Sequence, residues 1–366
     1  MKIAFYAPLK APTHPVPSGD RLMARLLVAA LEKAGHEVNL ISDLRSYARQ
    51  SDADAYTNIA QQARSEIARV SDLWDSSPRP DIWFSYHPYY KAPDLLGPVL
   101  AARFQIPYVT AETSYSERRN VGYWARTQDQ VHAGIKFAAV NICFTKRDRD
   151  GIAAAAPAAH TSILRPFIDP APFLQSQSAG AADSNHLITV AMMRPGDKMD
   201  SYRLLSNALA MLSPQLPWSL SVIGDGEMKA EVTSLFAEFG ADRVKWYGEV
   251  TTAEVAVLMS QSALYVWPGY GEAYGLTYLE AQAAGLPVVA MNVAGVPEAV
   301  DHEVTGLLTP ADDAAEFARA IERLLTDRVE LKRMGRMARQ LILNERTLDH
   351  AAKSLDEILT QSTRPK

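Results

Sequence analysis

The chain has 366 residues, 48% hydrophobic and 22% charged, with a net charge of −5 and one cysteine. That length exceeds one compact core and fits two globular domains of ordinary composition. The acidic balance argues against a nucleic-acid binder, and a lone Cys143 excludes an intrachain disulfide or a cysteine-rich metal site.

In chain order, KIAFYAP opens as a strand over 3–6, too short for a signal peptide and without a cleavage site. No stretch reaches the roughly 18 uninterrupted apolar residues of a membrane span. The expected location is the cytosol. A proline-rich loop over 8–17 leads to Ser18-Gly19-Asp20 and a helix from near Arg21 to 33, where amides beside Gly19 are placed to meet a phosphate or an acceptor. Further strands are expected over 38–41, 82–86, 108–111, 139–144 and 162–164, with another helix over 59–70. Cys143 falls in an apolar run and reads as a buried strand residue. This alternation predicts a parallel sheet covered on both faces, occupying a first domain over 1–170.

Residues 175–185, QSQSAGAADSN, are small and aperiodic, so 171–186 reads as a linker. The pattern then repeats, with strands over 187–192, 220–223, 244–247, 264–267, 288–291 and 307–308 forming a second domain over 187–345. The segment 313–359 is helical in pattern, and 346–366 is expected to form a closing helix. Two doubly wound α/β units in succession place the expected ligand site between them. Residues 1–170 hold 20 Lys and Arg against 17 Asp and Glu; the remainder holds 17 against 25. A weakly basic first domain suits an anionic membrane surface or acceptor, and chance surface variation explains so small a charge equally well.

The densest signal is 265–290, YVWPGYGEAYGLTYLEAQAAGLPVVA. A short apolar run ends at Pro268-Gly269, a helical pattern starts near Gly275, and Gly285 with Pro287 stops it before the next strand. The loop therefore lies at the carboxyl edge of a sheet, where open α/β sheets bind ligands. Glu272 and Glu280 are eight residues apart; were both helical, about 12 Å along the axis would separate them, a spacing for two ends of an elongated ligand. Either acid alone reads equally well as an ordinary helix-terminal or solvated Glu.

Glu272 and Glu280, together with Gly271, Gly275, Gly285 and Pro287, resemble the E-x7-E signature of retaining glycosyltransferases of the GT-B fold, glycosyltransferase family 4 (group 1). The resemblance is strongest from 187 to 308 and architectural before 170. It implies two Rossmann-like domains facing across a cleft, with the last helix returning to the first domain. It also implies transfer of a hexose from a UDP- or GDP-sugar to a hydroxyl acceptor, with retention and no metal or other cofactor, in glycan or glycolipid synthesis. Arg194 and Lys198, in AMMRPGDKMDSY, would take the diphosphate, as a planar fork and a compact charge; outside that context they read as solvated loop cations. Glu272 would hold the sugar hydroxyls and Glu280 the ribose. Ala273, Tyr274, Gly275 and Leu276 would line the donor, with Gly224 of the turn Gly224-Asp225-Gly226 and with Gly19. Tyr247, in Trp246-Tyr247-Gly248-Glu249, resembles the segment that receives the nucleobase, and a packed aromatic strand end competes with that reading.

The first domain departs from the family. Many members carry His in an H-T-S segment after the fourth strand, where this chain has Glu112-Thr113-Ser114; His87 at the previous strand end is the nearest alternative. Glu112, His87 and Arg118 are therefore the acceptor-side candidates. The segment 116–126, SERRNVGYWAR, reads as a loop in which Arg118, Arg119 and Arg126 accompany Tyr123 and Trp124, suiting an anionic or lipid-linked acceptor and weak peripheral contact at the inner membrane face, though an exposed loop with a packed Trp is the commoner arrangement. Two other readings stand beside the transferase: a sugar-nucleotide-binding protein that has lost catalysis, and a GT-B nucleotide-sugar epimerase. A phosphorylase is disfavoured, since no lysine stands in a pyridoxal phosphate context.

Overall fold

The computed structural model describes residues 1–174 and 185–362. The chain forms two compact units: Met1–Arg165 together with the chain from Leu348 onward, and Pro166–Thr347. The division falls a few residues before position 170. Ala171–Leu174, expected as linker, is a helical turn started by the Asp169 carboxylate, which accepts the Ala171 amide. Residues 175–184 of the expected linker lie outside the described residues, and its last residue, His186, already opens the first strand of the second unit.

The first unit runs β1 (Lys2–Tyr6), α1 (Gly19–Lys33), β2 (Glu37–Ser42), α2 (Ala53–Ser76), β3 (Ile82–Tyr86), α3 (Gly97–Phe104), β4 (Tyr108–Ala111), α4 (Trp124–Phe137), β5 (Val140–Cys143), α5 (Lys146–Ala155) and β6 (Thr161–Ile163). Its six strands are parallel in the order β2-β1-β3-β4-β5-β6. β3, β4 and β5 are buried along their whole length, as strands covered on both faces must be. Trp83 of β3 packs edge-on against Trp74 of α2, and its indole N–H donates to the buried Asp94 carboxylate at 3.0 Å.

The second unit continues with α6 (Ala171–Leu174), β7 (His186–Val190), α7 (Asp197–Ala210), β8 (Ser219–Ile223), α8 (Lys229–Leu235), β9 (Val244–Gly248), α9 (Thr252–Ser260), β10 (Leu264–Val266), α10 (Leu276–Ala283), β11 (Val288–Met291), β12 (Gly306–Thr309), α11 (Ala314–Thr326) and α12 (Arg328–Glu345). Its parallel sheet has the order β12-β11-β10-β7-β8-β9. The helical stretch expected over 313–359 is broken twice. Asp327 accepts the Glu330 amide and starts α12, and α13 (Leu348–Ser362) follows Thr347 and belongs to the first unit. There α13 packs against α1, with an ion pair between Lys33 and Asp349 at 2.9 Å.

Several expected boundaries shift; the helix expected over 59–70 runs over Ala53–Ser76, started by the Asp52 carboxylate, which accepts the Asp54 amide. The first helix begins at Gly19, because the Ser18 hydroxyl accepts the Arg21 amide and caps it. Residues 116–126 are not a continuous loop: 117–119 form a 3-10 turn and α4 already begins at Trp124.

The close contact of α12 with α10 sets a testable limit. A Cβ at Gly335 of α12 would lie 2.4 Å from the Gly285 carbonyl, just past the end of α10. Gly335→Ala is predicted to destabilise the second unit by about 1–3 kcal/mol, because overpacking outweighs the roughly 1 kcal/mol of gained helix propensity. A denaturation midpoint unchanged or raised in this variant would show that the helices separate freely there.

Candidate functional site

In each unit the strand order reverses once, and the loops leaving the two strands at the reversal are where open α/β sheets take ligands. In the second unit the reversal lies between β7 and β10. The loop after β7 carries Arg194 and turns at Gly196 (φ 78°) into α7, whose first turn holds Lys198. The loop after β10 carries Trp267 and Glu272.

These two loops are tied through one carboxylate. Lys198 Nζ and Trp267 Nε1, the latter at 3.1 Å, both donate to Glu272 Oε1, and the Lys198 ammonium stands 5.5 Å from the centre of the Trp267 ring. The side chains are 29% and 17% exposed for Lys198 and Glu272, so the pair is less screened than a surface ion pair and still open to a ligand. Arg194 is exposed on its loop.

Tyr278 of α10 dictates why this loop is glycine-rich. Its hydroxyl donates to the Trp267 carbonyl at 3.1 Å. A Cβ at Gly269 (φ 87°) would lie 2.2 Å from that hydroxyl, and a Cβ at Gly275 (φ 74°) 2.5 Å from the ring. Gly271 is confined in turn by the Asp197 carboxylate of α7, 2.0 Å from where its Cβ would be. Tyr202 completes the frame: its ring meets Trp267 edge-on at 4.9 Å, and its hydroxyl donates to the Ala191 carbonyl at 2.8 Å.

α10 starts at Leu276 with Gly275 as N-cap and no side-chain cap hydrogen bond, so no capping side chain offsets the partial positive charge of its N-terminus. Ala273 is exposed and Tyr274 buried just ahead of it. Glu272 therefore precedes the helix, and the axial spacing of two helical residues does not apply to the Glu272–Glu280 pair. Glu280 lies on α10, partly buried, with no ionic or hydrogen-bonding partner for its carboxyl among the described residues, and burial pushes it up to about 7. Gly224 and Gly226 have a structural explanation: their Cβ positions would lie 1.9 Å and 2.2 Å from the Ala191 and Met193 carbonyls, so they seat the loop after β7. Tyr247 projects from β9, an edge strand, 39% exposed.

In the first unit the reversal lies between β1 and β3. His87, directly after β3, and Glu112, directly after β4, both adopt left-handed backbone conformations, φ 58° and 56°. For residues other than glycine each costs about 1–3 kcal/mol, and such strain concentrates at functional sites. His87 Nδ1 is 3.1 Å from Asp20 Oδ1 in the first turn of α1, and the Tyr86 hydroxyl donates to Glu112 Oε2 at 2.9 Å. Burial works to lower the His87 pKa, but the Glu112, Asp20 and Asp148 carboxylates outweigh it and lift it to about 9. Burial raises Glu112 to about 7 against the opposing pull of His87. His87 is thus an imidazolium at neutral pH, set among carboxylates.

His87 and Glu112 are brought together, as are Lys198 and Glu272. Gly19 is the first residue of α1, one position before Asp20. Arg118 lies exposed in the 3-10 turn, whereas Arg119 stands over Tyr90 at 5.5 Å. The sequence reading did not assign roles to Asp20, Tyr86 or Trp267. Only position, at a helix start or a strand end, could have marked them. Among the described residues no cluster of His, Cys, Asp or Glu is placed to hold a metal ion, and no helix is long and apolar enough to cross a membrane.

Residues 184–327 match the family model described as glycosyl transferases group 1. Relatives include the D-inositol 3-phosphate glycosyltransferase of Streptomyces bingchenggensis, 38% identical over 114 residues, 31% of this chain and 25% of that protein. Another is the GDP-mannose-dependent alpha-(1-6)-phosphatidylinositol monomannoside mannosyltransferase of Mycobacterium tuberculosis, 32% identical over 149 residues, 38% of this chain and 39% of the relative. The chain spans about a quarter to a half of the length of the curated relatives it matches. Among solved structures, sucrose-phosphate synthase of Thermosynechococcus elongatus superposes with TM-score 0.76 at 20% identity, over 98% of both chains. HepE of Anabaena, in complex with UDP, gives 0.75 at 18%, over 99% of this chain and 100% of that one. At such identities the likeness establishes the fold, which is GT-B.

The unpartnered Glu280 carboxyl predicts a pH signature. A carboxyl raised by folding binds its proton more tightly in the native state, so its cost is absent below about pH 4.5 and complete above about pH 7. Glu280→Gln is predicted to be more stable than the parent by roughly 1–3 kcal/mol at pH 8, the gap closing below pH 4.5. Chemical denaturation at both pH values checks it; a variant less stable at pH 8 would mean that the carboxylate is held by donors in the folded protein.

Proposed function

We propose that this chain, whose residues 184–327 match the family model described as glycosyl transferases group 1, moves a hexose from a UDP- or GDP-sugar to a hydroxyl acceptor, with retention and without a metal. The carrying observation is the Lys198–Glu272–Trp267 cluster at the strand-order reversal of the second unit, beside the open N-terminus of α10. The similar proteins support the donor class: one is GDP-mannose-dependent, and one solved structure holds UDP.

The diphosphate is taken by the first-turn amides of α10 together with Lys198 and Arg194. A helix N-terminus and two cations offset charge that water would otherwise solvate. Glu280, desolvated and unpaired, accepts the ribose hydroxyls, whose donors satisfy a carboxyl that burial leaves expensive. Glu272 accepts sugar hydroxyls with the lone pairs that Lys198 and Trp267 leave open. In transfer, the bond from the anomeric carbon to the phosphate oxygen breaks while the acceptor oxygen bonds to the same face. The acceptor's proton passes to the departing phosphate. Lys198 and Arg194 stabilise the charge that develops there, and the chain acts by placement and electrostatics. His87, Glu112 and Arg118 of the first unit serve the acceptor.

The test is nucleotide release from a panel of UDP- and GDP-sugars. The reading predicts release from at least one donor, undiminished by exhaustive chelation, and about ten- to a thousandfold slower after Lys198→Ala. Release that stops with EDTA and returns with Mg²⁺ would contradict the metal-free reaction. Release from no donor, or equal release by Lys198→Ala, would contradict the assignment of this site.

A further inference from the structure

The strained residues of the first unit do not end at the carboxylates. From His87 a row of rings continues outward: His87 to Tyr89 at 5.1 Å, Tyr89 to Tyr90 at 5.3 Å, and Tyr90 to Trp124 at 5.3 Å. Each of these aromatic residues is only partly buried. A second ring pair, Tyr56 with Tyr123 at 5.0 Å, stands beside Trp124 in sequence and is fastened by the Ser51 hydroxyl, which accepts the Tyr123 amide.

Cations stand over these rings. Arg119 and Lys91 lie 5.5 Å and 5.7 Å from the Tyr90 ring centre, and Arg126 lies 5.5 Å from that of Tyr56. Segments 87–91 and 115–126 together contain four Lys and Arg residues against one acidic residue, Glu117. The surface thus changes character along its length. Near the strand ends it offers carboxylates and an imidazolium, which pair with hydroxyl groups; farther out it offers ring faces, on which the C–H face of a sugar packs, and guanidinium groups, which pair with a carboxylate, sulfate or phosphate.

We propose that this row is a binding track for an anionic saccharide acceptor, whose receiving sugar is gripped by Asp20, His87 and Glu112 and whose carboxylate, sulfate or phosphate is met by Arg119, Lys91 and Arg126. The proposal rests on the reading that the first unit takes the acceptor. A lipid surface fits the residues less well. Membrane-seated segments present a contiguous apolar face, whereas here the rings lean on one another, and the strongly exposed large apolar side chain of the segment is Val121. An acyl chain laid against His87, Asp20 and Glu112 would also strip water from charged side chains without offering them a polar contact. A saccharide satisfies both ends.

Calorimetric titration of the whole chain decides between these. The probes are tetragalacturonate, a sulfated tetrasaccharide and a phosphorylated tetrasaccharide, with maltotetraose as the neutral control and phosphatidylglycerol vesicles as the membrane control. At least one anionic tetrasaccharide is expected to bind about tenfold more tightly than maltotetraose, a difference of about 1.4 kcal/mol. Arg119→Ala with Arg126→Ala, both surface changes, is expected to abolish that preference, and Tyr90→Ala to weaken all the saccharides. Nucleotide-induced rise in melting temperature should stay unchanged in these variants. Binding of no anionic saccharide at about 10 mM, equal binding of the neutral one, or vesicle binding in its place would overturn the proposal while a nucleotide response leaves the transferase reading standing. Saccharide binding without any nucleotide response would instead remove the transferase reading and keep the track.

Discussion

Glu272 Oε1 accepts both the Lys198 ammonium and the Trp267 indole, and this one shared acceptor joins the two loops on either side of the strand-order reversal in the second unit. Around it the sequence has little freedom. Tyr278 anchors the Trp267 carbonyl and leaves no room for side chains at Gly269 and Gly275, while Asp197 of α7 leaves none at Gly271. A flexible glycine-rich loop is thereby fixed by contacts from two helices. The carboxylate it presents is already oriented before any ligand arrives, which lowers the entropy cost of binding.

The two units solve the same problem in opposite ways. In the loop after β10 of the second unit the left-handed positions are Gly269, Gly271 and Gly275, so that turn costs little. The first unit places His87 and Glu112 in that region, each at about 1–3 kcal/mol, and sets them where Asp20 and Tyr86 hydrogen-bond them. Side chains with chemistry are thus held at two adjacent strand ends, in a surrounding that keeps His87 charged and Glu112 near neutrality. Glu112 is accordingly one member of a group that also holds His87, Asp20 and Tyr86.

Much of this was legible in the chain. Among the described residues the twelve strands fall on the expected runs, most plainly β3, β4, β5 and β11, which are buried along their whole length and read as near-continuous hydrophobic segments, and the Gly-Pro punctuation around 268–287 located α10 within a residue or two. Helix boundaries were less legible. The Ser18 cap lengthens α1, and α4 begins inside a segment whose Arg, Asn and Gly content suggests a loop, because Trp124 and Tyr123 gain packing partners in Tyr90 and Tyr56. The pairing of Lys198 with Glu272 joins residues 74 positions apart, and no local pattern reveals it. For the glycines at 224 and 226 the resemblance implied a place beside the donor, and the close backbone at Ala191 and Met193, which no local pattern reveals, gives them a packing role as well.

The central claim is that the Lys198–Glu272 pair and the α10 N-terminus together receive a nucleoside diphosphate. Isothermal titration of UDP and of GDP into the parent and into Lys198→Ala tests it most directly. The account predicts that one of the two nucleotides binds the parent in the micromolar range and that losing the ammonium weakens it at least about tenfold, the loss of about 1.4 kcal/mol of charge-assisted contact. Absence of binding by both nucleotides at millimolar concentration, or equal affinity in the parent and the variant, would contradict it.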